Sequence, residues 1–394
     1  MELNKQMQAW GESRSVIRDL FEYGLQRKAE IGADKVFDFS LGNPSVPAPP
    51  IVAETIAKLQ EGDPVALHGY TSAAGDMQVR HKIAYYLNKN YGLTVGAQHL
   101  YMTCGAAASL TISLKALCLP GDEVVVCAPF FPEYRVFVEA AGAKLVQVQP
   151  DAATLYPDAE AFAAAITAKT KAVIINSPNN PSGVVYPEWV IKGIAGVLTE
   201  KQAEYGHDIV LISDEPYREL VYGNVEVPYI LNYYDNSIVC YSFSKSLSLP
   251  GERIGFILVG DKMSEGAKVY AASCGAARAL GYVCAPSLFQ RVVAEALGQT
   301  ADVSIYRYNR DLLLDALTEY GFSCVQPDGA FYLFMRTPEP DAAAFCERAK
   351  KHELLLVPCD GFGTPGFVRI SYCVSTKQIE NSLPAFKALA AEYK

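Results

Sequence analysis

The sequence predicts an α/β protein: a mainly parallel seven-stranded sheet sandwiched by helices, with a smaller α+β domain after it. Short β-rich runs recur at residues 100–103, 123–128, 144–148, 172–176, 209–213, 238–241 and 255–259, and segments of helical composition such as 159–168 and 188–201 separate most of them. Such alternation implies a parallel sheet covered on both faces. After about residue 290 the rhythm changes, and a long helical stretch leads to strand candidates at 331–335, 354–357 and 367–372. Size agrees, because 394 residues, half of them hydrophobic and a fifth charged, can bury a large core spread over two or three domains.

In chain order, residues 1–45 read as an N-terminal arm that also joins the smaller domain, 46–288 as the larger domain and 289–394 as the smaller C-terminal domain. In the arm, Ser13 or Ser15 caps a helix whose Ile17, Leu20, Phe21 and Gly24 share one face, and Gly32 ends it. Residues 36–39 read as a short strand. The segment Leu41-Gly42-Asn43-Pro44-Ser45-Val46-Pro47-Ala48-Pro49-Pro50 is too rich in turn residues for helix or central strand. It reads as a seam between domains, where ligand clefts form. Residues 68–75 form a loop carrying Tyr70, and the next helix turns Val79, Ile83, Tyr86 and Leu87 inward. The last helix opens at Ser375-Thr376-Lys377-Gln378, a capping-box pattern.

A net charge of −9 without a basic cluster argues against nucleic acid or an anionic membrane surface as partner. The opening Met1-Glu2-Leu3-Asn4-Lys5-Gln6 lacks the apolar region of a signal peptide, and runs such as 124–128 are too short to cross a bilayer. Ten cysteines lie scattered without a Cys-x-x-Cys pair, which suits free thiols in a reducing cytoplasm. The five histidines lack ligand spacing, so no metal is expected. Gly361-Phe362-Gly363-Thr364-Pro365-Gly366 satisfies G-x-G-x-x-G, but a strand-like run follows it and no βαβ unit surrounds it. A nicotinamide dehydrogenase is set aside on that ground.

The chemistry gathers just after the predicted strands, where open α/β sheets bind ligands. The run 238–241 leads into Ser242-Phe243-Ser244-Lys245, and Arg253 follows eight residues after the lysine. Two hydroxyls and a guanidinium fork suit a phosphate. A lysine beside cations and partly desolvated has an amine neutral enough to attack a carbonyl. Phosphate and aldehyde side by side describe pyridoxal phosphate; a solvated Lys and Arg at a loop is the plainer reading of the same residues. The stretch closely resembles the cofactor-lysine motif of the class I/II aminotransferases, the fold-type I pyridoxal-phosphate enzymes.

The resemblance covers essentially the whole chain, with Asn180, Asp214, Lys245 and Arg253 at intervals of 34, 31 and 8 residues. It gives a role to residues that are ambiguous alone. Gly105, Ala106 and Ala107, otherwise packing at a strand–helix turn, match the family's phosphate-cradling loop, and Ser242, Ser244 and Arg253 its phosphate anchors. Phe131, otherwise a core aromatic, matches the ring that stacks on the cofactor. Asn180, in a segment that alone is dense turn chemistry, and Tyr217 match the partners of the cofactor's phenolic oxygen. Asp214, by itself also a plausible helix cap, matches the carboxylate that keeps the pyridine nitrogen protonated. Arg369 lies inside an apolar strand and so demands an anion. It matches the arginine that binds the substrate α-carboxylate, a structural salt bridge being the alternative. Gly42 joins Asn180 and Arg369 on the substrate side. Tyr70 resembles the tyrosine that reaches the phosphate in a neighbouring subunit, which implies a homodimer. Glu252 departs from the pattern, since many relatives carry Trp there, and a more polar cleft mouth is expected.

The expected activity is transfer of an amino group from an L-amino acid to a 2-oxo acid. Lys245 holds the cofactor as an internal aldimine and then moves the substrate's Cα proton. Aspartate with 2-oxoglutarate is the favoured pair, because Arg278 lies within about one residue of the position from which a partner subunit reads a distal carboxylate in aspartate-type relatives. Carbon–sulfur β-elimination, aminocyclopropane-carboxylate synthesis and transfer from aromatic amino acids or alanine stay open on the same scaffold. A non-enzymatic ligand-sensing domain would need a DNA-binding module, and the segment before residue 36 has no basic recognition helix.

Overall fold

The protein is described by a computed structural model covering residues 1–12 and 15–394. The chain enters through helices Lys5–Glu12 and Val16–Ile31 and a short strand, β1 (Phe37–Asp38). Ser15 caps the second helix and Gly32 ends it; the alternative cap, Ser13, lies outside the described residues. Residues 41–49 carry neither helix nor strand, and Pro50 opens the next helix, where its missing N–H costs nothing.

Seven strands then build the large sheet: β2 (Leu100–Thr103), β3 (Glu123–Cys127), β4 (Lys144–Val148), β5 (Thr170–Asn176), β6 (Val210–Asp214), β7 (Ser237–Ser242) and β8 (Gly255–Val259). Their order is β2-β8-β7-β6-β5-β3-β4. Only β8 runs against the rest, pairing antiparallel with both β2 and β7. Nearly every residue of these strands is buried, as a sheet covered on both faces requires. Side chains alternate between two cores. Val125, Val173, Leu211 and Val239 meet Ile83, Leu87, Ile194 and Val292 on one face. Val124, Ile174, Ile212 and Ile238 meet Leu110, Leu114, Val138 and Ala277 on the other. Each such aliphatic side chain contributes about 1.5–3 kcal/mol on burial.

The smaller unit is a four-stranded antiparallel sheet in which β9 (Ser323–Val325), β10 (Tyr332–Arg336), β12 (Val357–Pro358) and β13 (Phe367–Ser371) lie in the order β12-β13-β10-β9. Its core packs Leu333, Met335, Val368 and Ile370 against helices Val303–Tyr320 and Thr376–Ala391. β9 has no counterpart in the sequence reading, because three half-exposed residues leave no period to read. The run expected at 354–357 divides: β11 (Leu354–Leu355) pairs with β1, and β12 pairs with β13. The final capping box is half formed. Ser375 Oγ accepts from Gln378 N–H at 3.2 Å, but the Gln378 side chain donates to Asp38 O instead of closing the box.

One buried ion pair braces the turn after β6. Arg218 Nε donates to Glu215 Oε2 at 2.5 Å, and its other nitrogens donate to the carbonyls of Val227 and Pro228. Ser213 Oγ donates to Glu215 Oε1. Glu215→Ala leaves Arg218 as an unpaired buried cation and is expected to destabilise the protein by about 3–5 kcal/mol in urea denaturation; a loss below about 1 kcal/mol would show that the carbonyls alone satisfy Arg218.

Candidate active site

Parallel pairing brings the ends of β5, β6 and β7 to one edge of the sheet, with Asn176 opposite Asp214 in register. β8 starts at that same edge, Gly255 opposing both Ser242 and Thr103. Polar residues placed after different strands therefore converge on a single cleft of about 530 Å³. Arg369 and Tyr332 of the smaller sheet, Leu41 and Gly42 of the seam, and the first turn of the helix Val16–Ile31 close it from the other side.

Lys245 sits in the short helix Phe243–Ser246, capped by Ser242 Oγ, and its Nζ donates to Gly42 O at 2.6 Å. Burial brings its amine down to about 8; nearby Arg253 and Arg369 push the same way, and the neighbouring Cys373 opposes them. Asp214 is buried at the end of β6. One carboxylate oxygen accepts from Tyr134 Oη at 2.5 Å, and the other has no partner among the described residues. Burial lifts this carboxyl to about 7; the Tyr134 bond opposes the rise and Glu215 adds to it.

Arg369 is 2 % exposed. Its nitrogens donate to Asn180 Oδ1 at 3.1 Å and to Ser40 O at 2.5 Å, Nε has no partner, and it pairs with no carboxylate among the described residues. The structural salt bridge that the sequence left open is thus not formed. Tyr217 and Tyr332 place their hydroxyls 2.9 Å apart. Gly105 adopts φ +90° ahead of the helix Ala106–Leu117, and a Cβ on it would stand 2.9 Å from Arg253 Nη2. That close approach favours glycine twice over. Ser242 and Ser244 hydroxyls lie 2.8 Å apart beside them.

The cleft brings together Gly42, Ala106, Ala107, Phe131, Asn180, Asp214, Tyr217, Ser242, Ser244, Lys245, Arg253 and Arg369. It does not include Tyr70, which is 98 % exposed on its loop, nor Arg278, exposed on the helix Gly266–Leu280, nor Glu252. Sequence reasoning missed Tyr134, Asn176, Tyr332 and the mouth residues Ile17 and Arg18. Tyr134 lies one helical turn beyond Phe131 and Asn176 ends a predicted strand, so both were within reach of spacing arguments; Tyr332 needed the second sheet's docking.

The sequence profile of the family described as aminotransferase class I and II matches residues 34–386. An aspartate aminotransferase from Thermotoga maritima is 31% identical, covering 89% of this chain and 90% of the relative. An aspartate/prephenate aminotransferase from Thermus thermophilus is 30% identical, covering 98% and 97%. Among solved structures, an amino transferase from Eubacterium rectale matches all of both chains at 54% identity and a TM-score of 0.98. The chain belongs to the class I and II aminotransferases. It is a transaminase of fold type I, and its cofactor is pyridoxal 5′-phosphate.

The residues of this aminotransferase fit that group. Among the described residues Asp214 Oδ1 and Arg369 Nε are buried without partners, which a protonated ring nitrogen and a carboxylate would satisfy. The cofactor-free protein should register the unmet carboxylate. A folded carboxyl at about 7 binds a proton that the unfolded chain releases near 4, so stability falls as pH rises between about 4 and 7. Thermal melts of the cofactor-free protein and of Asp214→Asn across that window check this; equal slopes would exclude Asp214 as the source.

Proposed function

We propose that this aminotransferase passes the amino group of aspartate to 2-oxoglutarate, working in the cytoplasm as a homodimer in which the partner's Tyr70 completes each site. The observation that carries the reading is Arg369: a buried guanidinium without a carboxylate among the described residues, in the same cleft as the Lys245 amine. Relatives named as aspartate or aspartate/prephenate aminotransferases support the donor, as does a Thermus thermophilus aspartate aminotransferase solved with maleate, 27% identical with a TM-score of 0.88 over 99% of this chain.

In this reading the amides of Gly105, Ala106 and Ala107 with Ser242, Ser244 and Arg253 hold the phosphate of pyridoxal phosphate. Phe131 would lie against its ring, Asp214 would hold the proton on the ring nitrogen, and Asn180 and Tyr217 would donate to the phenolic oxygen. Once bound, the cofactor supplies an aldehyde that condenses with amines and a protonated ring that withdraws electrons from the substrate Cα. Arg369 grips the α-carboxylate in bidentate fashion and so fixes Cα relative to Lys245. With its pKa near 8, the Lys245 amine is neutral often enough at physiological pH to take the Cα proton and return it. Arg278 of the partner subunit reads the distal carboxylate.

Adding single L-amino acids to the holoenzyme without an oxo-acid acceptor tests the donor: the visible band should bleach with aspartate and recover with 2-oxoglutarate. Release of ammonia and pyruvate from a sulfur amino acid would point to a lyase instead. Lys245→Ala should cut turnover by at least about 10⁴-fold while leaving the circular dichroism of the fold intact, and wild-type turnover in that variant would end the assignment. Arg278→Ala should raise KM for aspartate by roughly tenfold or more, with alanine kinetics little changed. Unaltered aspartate kinetics would refute the role given to Arg278.

A further inference from the structure

Two aromatic rings meet Arg369, and one of them also meets Tyr217. The ring centroids of Tyr332, on β10, and Phe362, in the turn Asp360–Phe362, lie 4.6 and 5.4 Å from the Arg369 guanidinium carbon. Phe362 belongs to the glycine-rich segment that resembled a dinucleotide loop. Its carbonyl accepts from Phe130 N–H at 3.0 Å, which ties that turn to the wall bearing Phe131. Gly42 makes room for the Tyr332 ring, since any Cβ there would collide with Tyr332 Oη.

The physics of a waiting cation explains the arrangement. A carboxylate beside Arg369 would occupy the donors that a substrate needs. An aromatic face stabilises a guanidinium through its quadrupole and leaves the in-plane N–H groups free. The hydroxyl pair poses a similar problem, because one of its two phenols must donate to the other. Tyr332 Oη has no other hydrogen-bond partner among the described residues. If its proton goes to Tyr217 Oη, the Tyr217 proton is released toward the cleft.

We propose that Tyr332 and Phe362 are positioning residues for transamination: both rings hold Arg369 for the substrate carboxylate, and the Tyr332 hydroxyl turns the Tyr217 proton toward the cofactor's phenolic oxygen. This rests on the transamination reading of the cleft. Holoenzyme of wild type, Tyr332→Phe and Phe362→Leu is compared by two readouts, the Kd of succinate, a dicarboxylate that cannot react, and the pH midpoint of the bound cofactor's visible band. Phe362→Leu should weaken succinate about three- to tenfold and leave the midpoint in place. Tyr332→Phe should keep succinate within about twofold and raise the midpoint by roughly half a unit, because a weaker donor to the phenolic oxygen favours the protonated form. If Phe362→Leu does not fold, Phe362→Met keeps the volume without the ring. Variants that shift both readouts together, or neither, overturn the inference. A wild type that shows no band after pyridoxal phosphate is supplied fails the transamination reading itself.

Discussion

Hydrogen bonding among β5, β6 and β7 decides where chemistry can occur in this chain. Because the three strands run in parallel and in register, their last residues share one edge, spaced by the strand separation of about 4.8 Å. Asn176, Asp214 and Ser242 are therefore neighbours although 38 and 28 residues apart in sequence. A slip of one residue in β6 would send Asp214 to the opposite face of the sheet. The reversal of β8 does the complementary job, because a strand that begins at the same edge can deliver Arg253 there from its N-terminal side.

Charge is then sorted within that edge. Asp214 and Glu215 are adjacent, and both are buried, yet only Glu215 has a cation of its own, Arg218. The pair Glu215–Arg218 is closed on itself, while Asp214 is left to a phenol and an unfilled position. At the same edge, Lys245 is repelled by its neighbour Arg253 and, across the cleft, by Arg369. The result is a protein of net charge −9 in which this cleft carries Lys245, Arg253 and Arg369, a local cationic character suited to a phosphate and a carboxylate. Net charge speaks to bulk partners and local charge to small ones.

Much of this was legible in the sequence because the large sheet announces itself through continuous apolar runs such as 172–176 and 238–241, each followed by residues that make no sense as packing. Asp214 after Val210–Ser213 and Lys245 after Ser237–Ser242 are instances. What escaped depends on contacts between remote segments. Leu356 marks where the chain leaves one small sheet for another, a change that no local pattern encodes. Tyr332 reads as one more core aromatic in Phe331–Met335, and only the approach of Tyr217 and Arg369 gives it another part to play. Gln378 looked like half of a cap but was recruited by Asp38 O, a partner 340 residues away.

The four residues 39–42, where β1 runs into the seam, are bolted at both ends. Phe39 O accepts from Ser371 N–H, Ser40 O accepts from Arg369, and two residues later Gly42 O accepts from Lys245 Nζ. These four residues act as a short connecting rod between the two sheets, with Arg369 at one end and Lys245 at the other. Backbone carbonyls two residues apart thereby hold both cationic side chains, so the spacing of guanidinium and amine is set by one short piece of main chain.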